Sequence, residues 1–205
     1  MEIAKKLEQF PTAIIADAIG GFGCMSSAIK PVVDTMRVAA SAYTVQCFAH
    51  DNLMAHYAIK HAPKGCILVI STNGDTEGAY WGELMTLMAL KKGISGVVTD
   101  GGIRDKAIIA ELGFPLFAPS SIPAKTSKVT NGDVSCRICC GGVTVHPGDI
   151  IAGDADGVVV VSPEKFDTIY NLAKANHERE EYLRERIAAG ELLFDILGMD
   201  KLISE

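Results

Sequence analysis

The chain has 205 residues, a formal net charge of -6, and 48% apolar against 21% charged side chains. That balance supports a buried core and excludes wholesale disorder, and the length suits one domain over residues 1–205 rather than two. The negative charge offers no basic face for phosphate backbones, so nucleic acid is not an expected partner. No apolar run reaches the roughly eighteen residues of a membrane span, and Met1-Glu2-Ile3-Ala4-Lys5-Lys6 lacks the apolar stretch of a signal peptide, so a cytoplasmic protein is expected.

Residues 12–19 read as a short helix capped by Thr12 and ended by Gly20-Gly21-Phe22-Gly23. Residues 38–47 read as a strand, followed by a helix capped by Asp51 and carrying Leu53, Met54, Tyr57, Ala58 and Ile59. The unbroken apolar run 66–70 predicts a strand buried on both faces, with a polar loop at 71–78 leaving its C-terminal end. A helix over about 79–92, a strand at 96–100, an exit loop at Gly101-Gly102, a helix over 103–112 and a strand at 114–118 complete a βαβαβ run with parallel pairing. Beyond Pro119 short β-prone stretches follow at 134–140, 143–145, 150–152 and 158–161. Asp154-Ala155-Asp156-Gly157 begins like a calcium loop but lacks the distant glutamate, so a turn between strands is the better reading. Ser162-Pro163-Glu164 opens a long charged helix, about 163–189, stopped by Gly190.

The six cysteines include Cys136-x-x-Cys139-Cys140, which has no second ligand pair at zinc spacing, so reduced, packing cysteines are expected. His56 and His61 are five apart on one helix and point to different faces, and His146 lies in a turn.

The functional signal is Gly82-Glu83-Leu84-Met85 and, twenty residues after Glu83, Arg104-Asp105. Both ends fall near predicted helix starts behind buried strands. A helix start offers unpaired N–H groups that hold a carboxylate, and arginine adds a fixed cationic fork. Asp105 is a hard oxygen ligand suited to magnesium or manganese, with Glu83 able to hold a water on such an ion. A divalent ion over a 2-oxo acid stabilises the enolate left when an adjacent bond breaks. The plainer alternative is that Arg104 and Asp105 only start a helix.

These residues, with Asp100-Gly101-Gly102, His146-Pro147-Gly148-Asp149 and Asp154-x-Asp156-Gly157-Val158-Val159, resemble the metal-dependent 4-hydroxy-4-methyl-2-oxoglutarate / 4-carboxy-4-hydroxy-2-oxoadipate aldolase family. Homologues in that family include the regulator of ribonuclease activity A. The resemblance covers about 12–161. It implies an α/β fold of the swivelling phosphohistidine-domain type, a β-rich core with parallel βαβ units and a long C-terminal helix, assembled as homotrimers or homohexamers. It also implies cleavage of a 4-hydroxy-2-oxo acid to pyruvate, with oxaloacetate decarboxylation alongside. Gly82, Glu83, Leu84 and Met85 would bind the pyruvate carboxylate, Arg104 the substrate and enolate, and Asp105 the Mg2+ or Mn2+. Glu83 would act through a metal-bound water, although the family often has aspartate there. A neighbouring subunit's glutamate would complete the site, with Glu178, Glu180 and Glu181 as candidates. The alternative is a non-catalytic regulator of ribonuclease activity. A methyltransferase would need a glycine-rich nucleotide loop, for which Asn73-Gly74-Asp75 is a poor substitute.

Overall fold

Apolar runs without alternation must be covered on both faces, and such runs form the middle of the main sheet. The computed structural model of the protein describes residues 2–203. Its strands begin with β1 (Lys30–Pro31), β2 (Val38–Gln46), β3 (Ile67–Ser71), β4 (Ala79–Trp81), β5 (Gly96–Thr99) and β6 (Gly102–Ile103). They continue with β7 (Leu116–Ala118), β8 (Ser120–Ser121), β9 (Asp133–Val134), β10 (Ile138–Cys140), β11 (Val143–Val145), β12 (Ile150–Asp154) and β13 (Gly157–Val161). The helices are α1 (Glu2–Lys5), α2 (Thr12–Ala18), α3 (Leu53–His61), α4 (Glu83–Lys92), α5 (Lys106–Leu112), α6 (Phe166–Ala188) and α7 (Leu193–Ile196).

The main sheet runs β1-β7-β5-β3-β2-β12-β13, with β9 also on β2. Strands β2, β3, β5 and β7 are mutually parallel, as the βαβαβ pattern predicts. The flanking strands β1, β9, β12 and β13 pair antiparallel. The chain before β1 bridges to β13 at Cys24 and Val159, with Met25 N–H donating to the Val158 carbonyl at 2.9 Å. The sheet therefore curls until its two edges nearly meet, giving the barrel-like α/β fold with a long C-terminal helix. Its interior holds Ile29, Val69, Val98, Phe117, Ile138 and Ile151. Helices α3, α4 and α5 cover one outer flank over Leu68, Ile70, Val97 and Leu116, while α2 and α6 cover β12 and β13.

Two predicted helix boundaries are corrected. Residues 79–81 are strand β4 rather than the first turn of a helix, because Ala79, Tyr80 and Trp81 are all buried, with Ala79 paired to Gly102 and Trp81 to Ile103. The helix expected over 103–112 starts only at Lys106, since Gly102–Ile103 is strand β6 and Arg104-Asp105 is the link between them. Leaving the main sheet, the chain thus enters a second, three-stranded parallel sheet, β4-β6-β8. It stands beyond the C-terminal ends of β3, β5 and β7, where open α/β sheets place ligands.

Other expectations are met or adjusted locally. Thr12 does not cap α2 with its own side chain; Asp154 caps it from afar, accepting from Thr12 N at 2.8 Å and Thr12 Oγ1 at 2.5 Å. Asp154 and Gly157 face each other across the β12–β13 turn, so that segment is a tight hairpin turn. The long helix is α6, preceded by a 3-10 turn at Pro163–Lys165 and followed by Gly190 at φ 92°. Cys47, Cys66 and Cys140 are buried packing residues; burial pushes the Cys47 thiol up to about 12 and Cys66 to about 11, so neither is a thiolate. No helix among the described residues is long and apolar enough to cross a membrane.

Candidate active site

Strand β4 ends at Trp81, whose carbonyl accepts from Arg104 N at 2.9 Å, so the small sheet sets the start of α4 directly against the β6–α5 link. Asp105 sits at φ 59°, ψ 31°, a left-handed conformation rare outside glycine, asparagine and aspartate. Such a residue costs about 1–2 kcal/mol and marks a place where geometry is kept at the expense of local comfort. Its carboxylate reaches back across the link: Oδ2 accepts from Glu83 N, the first amide of α4, at 3.0 Å. The same oxygen lies 3.6 Å from Arg104 Nε, and no hydrogen bond among the described residues engages the terminal guanidinium nitrogens.

Gly82 makes this approach possible. Its backbone is extended, at φ -163°, so the glycine is not needed for conformation. A Cβ there would stand 2.7 Å from Asp105 Oδ2 and 3.1 Å from Arg104 Cγ. Any side chain would push the acid and the arginine apart.

The sequence reading therefore has its residues brought together, with one change of role. The Glu83 amide is taken by Asp105, so the cradle that Gly82 to Met85 was expected to offer reduces to the first-turn amides of Leu84 and Met85, which have no helical carbonyl ahead of them. Leu84 itself is mostly exposed and Met85 buried. Glu83 is half-buried and lines the same cleft of about 250 Å³. Within one protomer Glu178, Glu180 and Glu181 lie along α6, paired with Lys174 and Arg184, with Glu180 beside Asp17, Gly20 and Gly21; the role expected of one of them is at the site of a neighbouring subunit.

The cleft also contains residues the sequence reading passed over: Asn52, His56, Trp81, Lys125, Thr126 and Lys128. With Arg104, the two lysines make its lining cationic in a chain that is negative as a whole. His56 stands at the rim, where partial burial, helped by the charge of Lys128, holds its pKa below the ordinary histidine value. The helix spacing that separated His56 from His61 was sound; His61 instead stacks on Tyr57. Asp51 and Asn52 at the start of α3 were the available signal for this wall.

Among the described residues no three or more His, Cys, Asp or Glu side chains are grouped to enclose a metal ion. The described residues therefore form no closed zinc-type cage. A hard, largely hydrated ion of the magnesium class needs only one or two protein carboxylates. Asp105 meets that need, since no protein donor among the described residues engages its Oδ1.

Residues 12–160 match the Aldolase/RraA family. The chain belongs to that family. A protein of Halalkalibacterium halodurans provisionally named 4-hydroxy-4-methyl-2-oxoglutarate aldolase is 34% identical over 203 residues, covering 99% of this chain and 96% of its own. Among solved structures, an uncharacterized protein from Pseudomonas syringae superposes with a TM-score of 0.85 at 28% identity, over 95% of this chain and 96% of that one. Streptomyces coelicolor RraAS2, described as an unusual member of the RNase ES inhibitor RraA family, gives 0.81 at 25% identity, over 90% and 98%. The family thus includes proteins named for an aldolase activity and proteins named for inhibition of a ribonuclease.

Proposed function

We propose that the protein is a divalent-metal-dependent aldolase that cleaves a 4-hydroxy-2-oxo acid of the 4-hydroxy-4-methyl-2-oxoglutarate type to pyruvate and a second oxo compound, and that it decarboxylates oxaloacetate by the same route. The observation that carries this reading is the shared corner of Glu83 N–H, Asp105 and Arg104, of which Glu83 and Arg104 line a cationic cleft and Asp105 stands behind them. A protein acting only through its surface has no use for a glycine kept bare so that an acid and an arginine can meet.

Asp105, with Glu83 through water, would hold Mg2+ or Mn2+. When bound, such an ion withdraws electrons from the 2-oxo group and stabilises the enolate. The amides of Leu84 and Met85 hold the pyruvyl carboxylate, and the Arg104 guanidinium holds the keto oxygen as it gains negative charge. As the C3–C4 bond breaks, its electrons pass to the pyruvyl fragment, and the 4-hydroxyl proton leaves through water to Glu83 while C4–O becomes a carbonyl. Return of a proton to C3 gives pyruvate. With oxaloacetate, carbon dioxide departs in place of the second carbonyl compound and the same enolate forms.

The test is pyruvate release from a panel of 2-oxo acids with added magnesium or manganese and again with chelator. Turnover that requires metal supports the reading; no turnover of any panel member with metal present removes it. The similar structures described as an RNase ES inhibitor family member and as an RNA-processing inhibitor favour a second reading, a protein-binding regulator. It would be supported by an inactive panel together with specific capture of a ribonuclease.

A further inference from the structure

Opposite Arg104, the cleft wall is a loop without regular structure, yet one buried carboxylate ties it down. Asp51, 2% exposed, accepts from Leu53 N at 2.8 Å, Ser127 Oγ at 2.8 Å, Val129 N at 2.6 Å and Thr130 N at 3.0 Å. Burial alone would raise its pKa, but these four bonds outweigh that and bring it down to about 2, so the carboxylate stays charged. Backbone bonds run alongside, from Asn52 N to the Ser127 carbonyl at 3.1 Å and from Ser127 N to the His50 carbonyl at 2.7 Å. Thr126 Oγ1 adds a bond to the Ala79 carbonyl at 3.1 Å.

This loop flanks the site in a defined way. Ala79 of β4 pairs with Gly102 on one edge and bridges to Lys125 on the other. Gly102 and Lys125 therefore flank one strand, about 10 Å apart at the backbone by ordinary strand spacing, and Arg104 follows two residues after Gly102. A pyruvyl end held by Arg104 and the start of α4 leaves the rest of an extended oxo acid lying toward Lys125, Lys128 and His56.

We infer that Asp51 is a positioning residue for substrate length: by stapling residues 127–130 to the start of α3 it fixes the wall that reads the distal half of the substrate. This rests on the 2-oxo acid reading, and it places the distal contacts on the 125–128 loop. Asp51 touches no substrate and acts only through that loop.

The test is ligand binding rather than turnover, followed by the fluorescence of Trp81, the chain's single tryptophan and part of the cleft lining. With magnesium present, pyruvate probes the proximal half alone, and 2-oxoadipate, which lacks the 4-hydroxyl and so cannot be cleaved, probes both halves. Asp51→Asn should weaken 2-oxoadipate about tenfold and leave pyruvate within about twofold, as for loss of one charge-assisted contact. Ser127→Ala, which keeps the carboxylate and deletes one donor, should give a smaller loss confined to 2-oxoadipate, and it decides the matter if Asp51→Asn does not fold. Equal losses for both acids, or no loss for either, would overturn the assignment alone. Wild-type protein that binds neither acid would remove the 2-oxo acid reading and this assignment with it.

Discussion

Asp154 and Asp105 both hold the start of a helix remote from them in the chain, and the same capping chemistry serves two ends. Asp154 is 8% exposed with both oxygens engaged: it accepts from Thr12 N, Thr12 Oγ1 and Asp156 N, and fastens α2 to the β12–β13 hairpin. The side chain of Asp105 is 34% exposed, accepts one amide hydrogen bond, stands in a left-handed backbone and faces an arginine across a glycine. A carboxylate with both oxygens engaged inside the protein is structural. One that is held in place by a single bond, in a conformation that costs energy, is oriented toward something outside the protein.

Substitutions should separate the two. The largest effect is expected for Asp105→Ala, with metal-dependent pyruvate release lowered by about 10³-fold or more and Arg104→Ala close behind, as when a charge-stabilising group is removed from an enolate site. Neither should unfold the protein, which circular dichroism will check. Gly82→Ala is a sharper probe, because the extended backbone tolerates alanine and only the contact between Asp105 and Arg104 is spoiled; a loss of about 10–10²-fold in kcat/KM with little change in Tm is the expected outcome. Asp154→Ala should do the reverse, costing about 2 kcal/mol in denaturant unfolding through a lost cap and stranded donors while leaving kcat/KM near wild type.

Asp51 belongs with Asp154 in this contrast, and pH reveals it. A carboxylate whose folded-state pKa is depressed adds stability that is complete above its unfolded value near 4 and is lost as pH falls toward its folded value of about 2. Acid unfolding followed between pH 4 and 2 should therefore be less steep for Asp51→Asn than for wild type. An unchanged slope would mean that the four hydrogen bonds do not hold the charge.

How far the sequence led differs between the main sheet and the corner. The runs Ile67–Ser71 and Gly96–Thr99 announce themselves because strands buried on both faces are continuously apolar, and their parallel pairing follows from the helices between them. The small sheet was not legible: β6 and β8 have two residues each, too few for any periodicity, and exist only through pairing with partners about twenty residues away. That is why Arg104 and Asp105 read as a helix start when they form the link before one. Spacing was enough to nominate Glu83, Arg104 and Asp105 together. It could not show that Asp105 takes the Glu83 amide, because that depends on the φ of one residue. The Asp51 staple was half visible, as a cap on α3; its bonds to residues 127–130 join segments more than seventy residues apart.

The central claim is that the corner at Asp105 is chemical and the cap at Asp154 is not. It is tested most directly by measuring pyruvate formation from oxaloacetate and from 4-hydroxy-4-methyl-2-oxoglutarate, with and without magnesium, for wild type, Asp105→Ala and Asp154→Ala side by side at a temperature where all three are folded. The account predicts metal-dependent turnover in wild type and Asp154→Ala and its loss in Asp105→Ala. Turnover in Asp105→Ala equal to wild type, or none in wild type with metal supplied, would contradict it.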